Sequence, residues 1–525
     1  MNPPTPLLLA RASLRLSLSA AALAVLASCG GGGGGTPVLG GTSIGLPASS
    51  TLAEQCAVPR TGNDPITGVP YTDTQGSVAT EKAYLRSWID ETYLWYQDVR
   101  ALPSTTLDPS GYATAVDYFN ALKTPLLDSQ GQPKDKFHFI YDTTTWEQLS
   151  QQGVQYGYGF EVALLQANPP NRSAVVAYLD SPSGTPATAN NISRGAAIIS
   201  VDGAALADGD ATTLNAGLFP TAAGSHTLVI RDQGASTNRT VTMTAQPITE
   251  TPVQNVTTLP VPYQHVGYML FNDHVATAEQ ELVAGFQQLK NAGVTDLVLD
   301  IRYNGGGYLD IASEVAYMIA GPNLTTSATP TPFFERENYN DRNPFNFTTA
   351  QTTTPFHDHG EGFTVSSATA LPFLGLSRVY VLTSADTCSA SEAIVNGLRG
   401  VGVTVNLIGG TTCGKPYGFF PQDNCGTTYF AIQFQGVNNM NFGNYPDGFT
   451  PTCSVADDFS HALGNPSEAQ LDMALGFLAT GTCTPAMGSS NSHILSANSA
   501  TLSSPSATPV LVRNPFRENR ILRPN

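Results

Sequence analysis

Charge is scarce in this 525-residue chain: Asp, Glu, Lys and Arg make up only 12% of it, and 24 basic residues face 41 acidic ones for a formal net charge of −17. With no basic patch to neutralise phosphates, this argues against nucleic acid as a partner. No Cys-x-x-Cys pair has the spacing of a zinc site, so the cysteines do not point to a metal. The N-terminal apolar run, residues 16–27, is too short to span a bilayer. What is abundant is Gly (49), Pro (37), Ser and Thr, the composition of an exported protein with long loops. The length suggests about three domains, enough for several cores.

Arg11 and Arg15 precede the short apolar run, as in a signal peptide. The run ends Leu26-Ala27-Ser28-Cys29, which resembles the lipobox of bacterial lipoproteins, and six glycines, residues 30–35, follow. That resemblance implies residues 1–28 as a lipoprotein signal peptide and Cys29 as a lipidated first residue. Residues 29–75 then read as a flexible tether. Gly30, at the place where an aspartate would signal retention, is similar to lipoproteins sent on to the outer membrane. The implied location is the bacterial cell envelope, with the protein facing the periplasm.

Residues 76–150 read as a small helical domain, with Tyr84, Leu85, Trp88, Ile89 and Trp95 near helical spacing and a second helix over 111–123. Residues 151–250 change to short β-rich runs. Gly157-Tyr158-Gly159-Phe160 opens them, and the phrase from Ile192 to Gly203 follows. Together these resemble a PDZ domain, which would capture a peptide's terminal carboxylate on backbone N–H groups and add the peptide to a sheet edge.

Residues 251–484 alternate strands and helices. One strand enters Tyr303-Asn304-Gly305-Gly306-Gly307 before a helix. Glycines there let backbone N–H groups approach a ligand. Phosphate binding is one use, but no Gly-Lys-Ser/Thr follows, and an oxyanion hole fits better. A second strand stops at Ser389-Ala390-Ser391-Glu392, which opens a helix, and a third runs into a Gly/Thr loop ending at Lys415. A serine and a lysine at neighbouring strand tips suggest a nucleophile and its base. Such a lysine must be neutral, which requires its pKa to fall from about 10.4 toward 7 to 8 beside apolar walls. Ser391 is the alternative nucleophile, although its position suits an early-helix structural hydroxyl. A metal site could be drawn at His357-Asp358-His359, but two histidines without other clustered ligands are more often a solvated loop. Residues 485–525 are rich in Ser, Thr and Asn and read as a disordered tail.

The order helical segment, PDZ, Asp300-Ile301-Arg302-Tyr303-Asn304-Gly305-Gly306-Gly307, Ser389-Ala390-Ser391-Glu392, Thr412-Cys413-Gly414-Lys415 resembles the carboxy-terminal processing peptidases, or tail-specific proteases. The resemblance implies a multidomain α/β protein whose protease core is a crotonase-like α/β superhelix. It implies a serine endopeptidase that needs no cofactor or metal and takes the C-termini of envelope proteins as substrates. An adaptor is left unnamed. Ser389 would be the nucleophile, Lys415 the base, Ala390 with Gly306 or Gly307 the oxyanion hole, and Glu392, Arg302 and Thr412 supporting residues.

Two departures from the family pattern stand out. Ser389 and Lys415 are 26 residues apart, one more than is usual. Phe419 also occupies the position of a glutamine that commonly orients the lysine, and Gln422 is a nearby substitute. The missing glutamine supports a second reading, a PDZ-containing module that recruits C-termini without cleaving them. A carbohydrate- or acyl-processing enzyme on the same core ranks last, for want of paired carboxylates or a coenzyme signature. Six cysteines remain besides Cys29, and sequence alone permits 15 pairings of them. Cys388 directly precedes the proposed nucleophile and Cys413 lies two residues before the proposed base. If those two meet, a Cys388–Cys413 disulfide follows.

Overall fold

A hydroxyl starts the first helix. Ser77 Oγ accepts the Thr80 N–H at 3.2 Å, satisfying a donor that the helix cannot. Helix α1 (Val78–Thr92) then buries Leu85, Trp88 and Ile89, and α2 (Ala115–Ala121) starts on a reciprocal Thr114/Asp117 capping box. In this computed structural model, residues 45–487 and the backbone of Arg520–Ile521 are described. The expected signal peptide and Cys29 lie outside the described residues, as do residues 488–519 and 522–525.

The helical segment does not build a core of its own. Strand β1 (Phe139–Asp142) pairs antiparallel with residues Thr427–Phe430, and Phe139 stacks on Phe430 with ring centroids 4.4 Å apart. Trp88, Phe119, Phe419, Tyr429 and Phe430 thus share one cluster.

The tether reading needs correction from residue 47 on. Gln55–Cys56 pairs in parallel with Thr74–Gln75, Arg60 grips Asp73 through two hydrogen bonds of 2.8 Å, and buried Cys56 is joined to Cys425. A Gly- and Pro-rich segment with no hydrophobic period is held by a cross-link and local polar turns, neither of which periodicity reports.

The β-rich domain contains β2 (Phe160–Gln166), β3 (Ser173–Leu179), β4 (Ala197–Val201), α3 (Ala211–Leu218), β5 (Ser225–Arg231) and β6 (Arg239–Thr244). Its sheet runs β6-β5-β4-β3-β2, antiparallel throughout, with β2 at the edge among the described residues. It packs on the next domain through Arg194, which donates to Tyr303 Oη and Asp457 Oδ1 at 2.6 Å each. Gly195 has φ +83°, and a Cβ there would meet the Phe459 carbonyl at 2.2 Å, so the contact demands glycine.

The remaining chain forms β7 (Val253–Thr258), β8 (Val266–Phe271), α4 (Ala278–Asn291), β9 (Asp296–Asp300), β10 (Gly307–Tyr308), α5 (Leu309–Ala320), β11 (Arg378–Thr383), α6 (Ala390–Gly400), β12 (Thr404–Gly409), β13 (Thr427–Phe430), β14 (Cys453–Ser454) and α7 (Ala469–Thr480). The central sheet runs β7-β8-β9-β11-β12-β14, parallel except for β7. The inner strands β8, β9 and β11 are buried almost throughout because both faces are covered. Met269, Leu299 and Val381 pack with Phe286, Val315 and Ile394 from α4, α5 and α6. Tyr268, Val298 and Leu382 face Leu471 and Leu475 from α7.

Residues 427–437 hold two strands, β13 and Phe434–Val437, because Ile432 accepts the Leu94 N–H while Phe434–Val437 turns away to pair with Phe333–Tyr339. Within the tail read as disordered, Arg520–Ile521 forms a strand, β15, paired in parallel with β10. Cys453 and Cys483 form the third disulfide.

Candidate active site

β9 and β11 lie side by side, so the loops leaving their C-terminal ends meet. Asn304, in the first loop, ties them together. Its carbonyl accepts the Cys388 N–H and the Ser391 hydroxyl, each at 3.0 Å. Ser391 is therefore spent on holding the turn.

Ser389 stands at the tip with φ 60° and ψ −112°, a left-handed φ that a side chain rarely adopts. Its hydroxyl is fully buried and has no hydrogen-bond partner among the described residues. The backbone is held there by Glu392, whose Oε2 accepts the Ser389 N–H at 3.0 Å.

The same carboxylate reaches the lysine loop. Oε2 also accepts the Lys415 N–H at 2.8 Å, while Oε1 accepts the Gly414 N–H at 2.9 Å and the Thr412 hydroxyl at 2.5 Å. Burial pushes the Glu392 carboxyl above its ordinary range, and these four donors oppose that shift. Thr412 Oγ1 accepts the Phe449 N–H at 2.7 Å, which anchors the loop from behind. Cys388 and Cys413 are bonded across the gap, with Cα atoms 5.1 Å apart.

Lys415 is fully buried. Its Nζ lies 4.5 Å from the centre of the Phe419 ring and 4.6 Å from that of Phe137. Gln422 does not take the place of the absent glutamine: its amide donates to the Asp423 carbonyl at 3.2 Å. Phe137, from the N-terminal segment, had no signal in the sequence, because only the fold brings it to the lysine.

Of the two glycines offered as oxyanion donors, Gly306 is committed, its N–H donating to Asn304 Oδ1 at 2.9 Å. Gly307 has φ +134° and runs alongside His274, which donates its N–H to the Gly306 carbonyl and accepts the Tyr308 N–H. In such a ladder Gly307 presents its own N–H and C=O to the opposite side.

His274 Nδ1 lies 2.9 Å from Asn304 Oδ1, and the Asn304 amide nitrogen donates to the Phe271 carbonyl. Nδ1 must therefore carry the proton. Burial drives this imidazole down to about 3, against the pull of its Asn304 hydrogen bond, so it stays neutral.

Arg302 sits away from these atoms. It is buried between Asp300, Asp457 and Glu468, with N···O distances of 2.7 to 2.9 Å, and locks β9 to the start of α7.

Residues 265–433 match the family described as Peptidase family S41. That match takes in both Ser389 and Lys415. Over 158 residues it is 33% identical to the C-terminal processing peptidase, chloroplastic, of Tetradesmus obliquus, covering 28% of this chain and 33% of that protein. Over 262 residues it is 26% identical to the carboxyl-terminal-processing protease of a Picosynechococcus strain, covering 47% of this chain and 58% of that protein. The matched regions thus span a third to somewhat over half of these relatives' lengths. The crystal structure of a protein described as an S41 protease from Bacteroides fragilis shares the fold, with a TM-score of 0.57 and 24% identity over 76% of this chain and 97% of that one.

Outside residues 265–433, the side chains of the Gly157–Phe160 turn pack inward. Tyr158 and Phe160 are buried, Tyr158 Oη donates to the Gly217 carbonyl at 2.8 Å, and a Cβ on Gly159 would meet Thr185 at 2.4 Å. His357 sits between carboxylates, with Nε2 3.2 Å from Asp310 and Nδ1 2.9 Å from Glu361. Against desolvation, which lowers it, those carboxylates push His357 up to about 9. Asp310, His357 and Glu361 thus bring their ligand atoms within 4.8 Å of one another, which corrects the expectation of a solvated loop at His357. Exposed His359 pairs with its neighbour Asp358.

Proposed function

We propose that the protein is a serine endopeptidase of the carboxy-terminal processing type, working through an acyl-enzyme with Ser389 as nucleophile and Lys415 as general base. The observation that carries this reading is the Glu392 carboxylate, one oxygen of which binds the backbone of both residues. Ser389 Oγ attacks the scissile carbonyl, and its proton passes to the neutral amine of Lys415. The apolar enclosure by Phe137 and Phe419 suits a lysine acting as a base. The tetrahedral oxyanion is received by the N–H groups of Ala390 and Gly307. As the C–N bond breaks, the Lys415 ammonium returns the proton to the leaving amine, and water then hydrolyses the ester by the same route.

The core is of the crotonase-like type and the β-rich domain is a PDZ module. Its Gly157–Phe160 turn and the edge of β2 take an unstructured protein C-terminus as an added strand. Cys29 carries a lipid that anchors the protein at the outer membrane, facing the periplasm.

The test is digestion of denatured casein by the wild type and Lys415→Ala, with the products read by mass spectrometry. Peptide release by the wild type that falls at least 100-fold in the variant supports the proposal. Equal, negligible turnover favours a module that binds C-termini without cleaving them.

A further inference from the structure

We infer that the protein's own C-terminal segment, around Arg520–Ile521, docks in the substrate cleft as an added strand and competes there with substrate. Three independent observations carry this.

The first is the pairing itself. Arg520 and Ile521 stand opposite Gly307 and Tyr308 in a parallel ladder and lie beside Tyr417–Gly418, two residues beyond Lys415. The edge they take is the one to which Gly307 turns its N–H, since His274 occupies the other. That N–H is the donor assigned above to the oxyanion, so a strand on β10 lies where a substrate's main chain must pass.

The second is charge. Residues 488–525 hold four arginines, at 513, 517, 520 and 523, and one glutamate, Glu518, in a chain of net charge −17. A basic segment is attracted to an acidic body at any encounter.

The third is reach. Thirty-two residues, 488–519, separate the last described residue of the body from Arg520. Being part of the same chain, the segment is presented to the cleft intramolecularly, at an effective concentration on the order of millimolar. A peptide substrate must displace a competitor present at that level.

The kinetic consequence rests on the peptidase reading, whereas the docking does not. The experiment therefore uses two readouts on the full chain. Ile521→Pro removes a strand N–H without touching the catalytic residues. Hydrogen exchange at the Gly307 amide, measured in a Ser389→Ala background, is expected to speed up at least tenfold on adding Ile521→Pro. In the Ser389 protein, Ile521→Pro is expected to lower KM for an unstructured peptide three- to tenfold with kcat unchanged. A synthetic peptide of residues 510–525 should restore the higher apparent KM. Unchanged exchange overturns the inference, whatever the kinetics. Faster exchange in a protein that hydrolyses nothing leaves the docking standing and removes the peptidase proposal.

Discussion

The backbone N–H groups of Ser389 and Lys415 donate to the same atom, Glu392 Oε2, at 3.0 and 2.8 Å. Two residues that are 26 positions apart in sequence are thereby held two hydrogen bonds apart through a single buried carboxylate. Glu392 is more than a helix-capping acid; it fixes where the nucleophile sits relative to its base. Glu392→Gln replaces one acceptor oxygen with a donor amide facing N–H or O–H groups. We expect kcat on a peptide substrate to fall about 100-fold with KM within threefold, and a stability loss of about 2–3 kcal/mol in urea denaturation.

The disulfide makes the same connection covalently. Cys388→Ser with Cys413→Ser should cost about 3 kcal/mol if the chain-entropy account of a loop of this length applies. Activity should fall further than stability predicts, because the cross-link spans the nucleophile turn and the lysine loop. Comparing kcat with the urea midpoint checks this.

Phe137 and Phe419 enclose the lysine, and Gln422 does not reach it. Phe137→Ala should lower kcat 10- to 100-fold with little change in KM, whereas Gln422→Ala should stay within twofold of the wild type. Steady-state kinetics on one peptide separates them.

His274 holds the Asn304 side chain that accepts the Gly306 N–H. His274→Asn, which offers an amide N–H toward Asn304 Oδ1, should keep most of kcat, and His274→Leu should lose about 100-fold. Imidazole ¹⁵N shifts should show the Nδ1–H tautomer from pH 5 to 8, since burial keeps this ring neutral.

The His357 pair gives a pH dependence of opposite sense to acid denaturation. A folded pKa of about 9, above the ordinary 6.5, means the stabilisation is complete below pH 6.5 and is lost as pH rises through 9. Glu314 adds to the trend: burial first, and then Glu279, push it from the ordinary 4.5 up to about 9, so stability falls with rising pH from 4.5 to about 9. The melting temperature should fall between pH 6.5 and 9.5. His357→Gln should flatten the slope, removing on the order of 2–3 kcal/mol at the acid end.

Much of the site was legible in the chain because its parts are local. The Ser389–Glu392 turn, the 303–307 loop and the strand ends preceding Ser389 and Lys415 are marked by short motifs and period-2 apolar runs. The pairing of Cys388 with Cys413 follows once serine and lysine are brought together. What could not be read depends on distant partners. Phe137 reaches the lysine only because β1 pairs with β13, the segment after residue 47 is ordered by Cys425, and Arg520–Ile521 becomes a strand only against β10. Gly306 and Gly307 are indistinguishable as sequence, and only the Asn304 side chain separates them.

The central claim is that Ser389, not Ser391, is the nucleophile, since Ser391 gives its hydroxyl to the Asn304 carbonyl while that of Ser389 has no partner among the described residues. The most direct measurement is kcat/KM for an unstructured peptide with Ser389→Ala and Ser391→Ala side by side. Loss of at least 1,000-fold in Ser389→Ala with a drop of tenfold or less in Ser391→Ala is the predicted result, and the reverse order would contradict it.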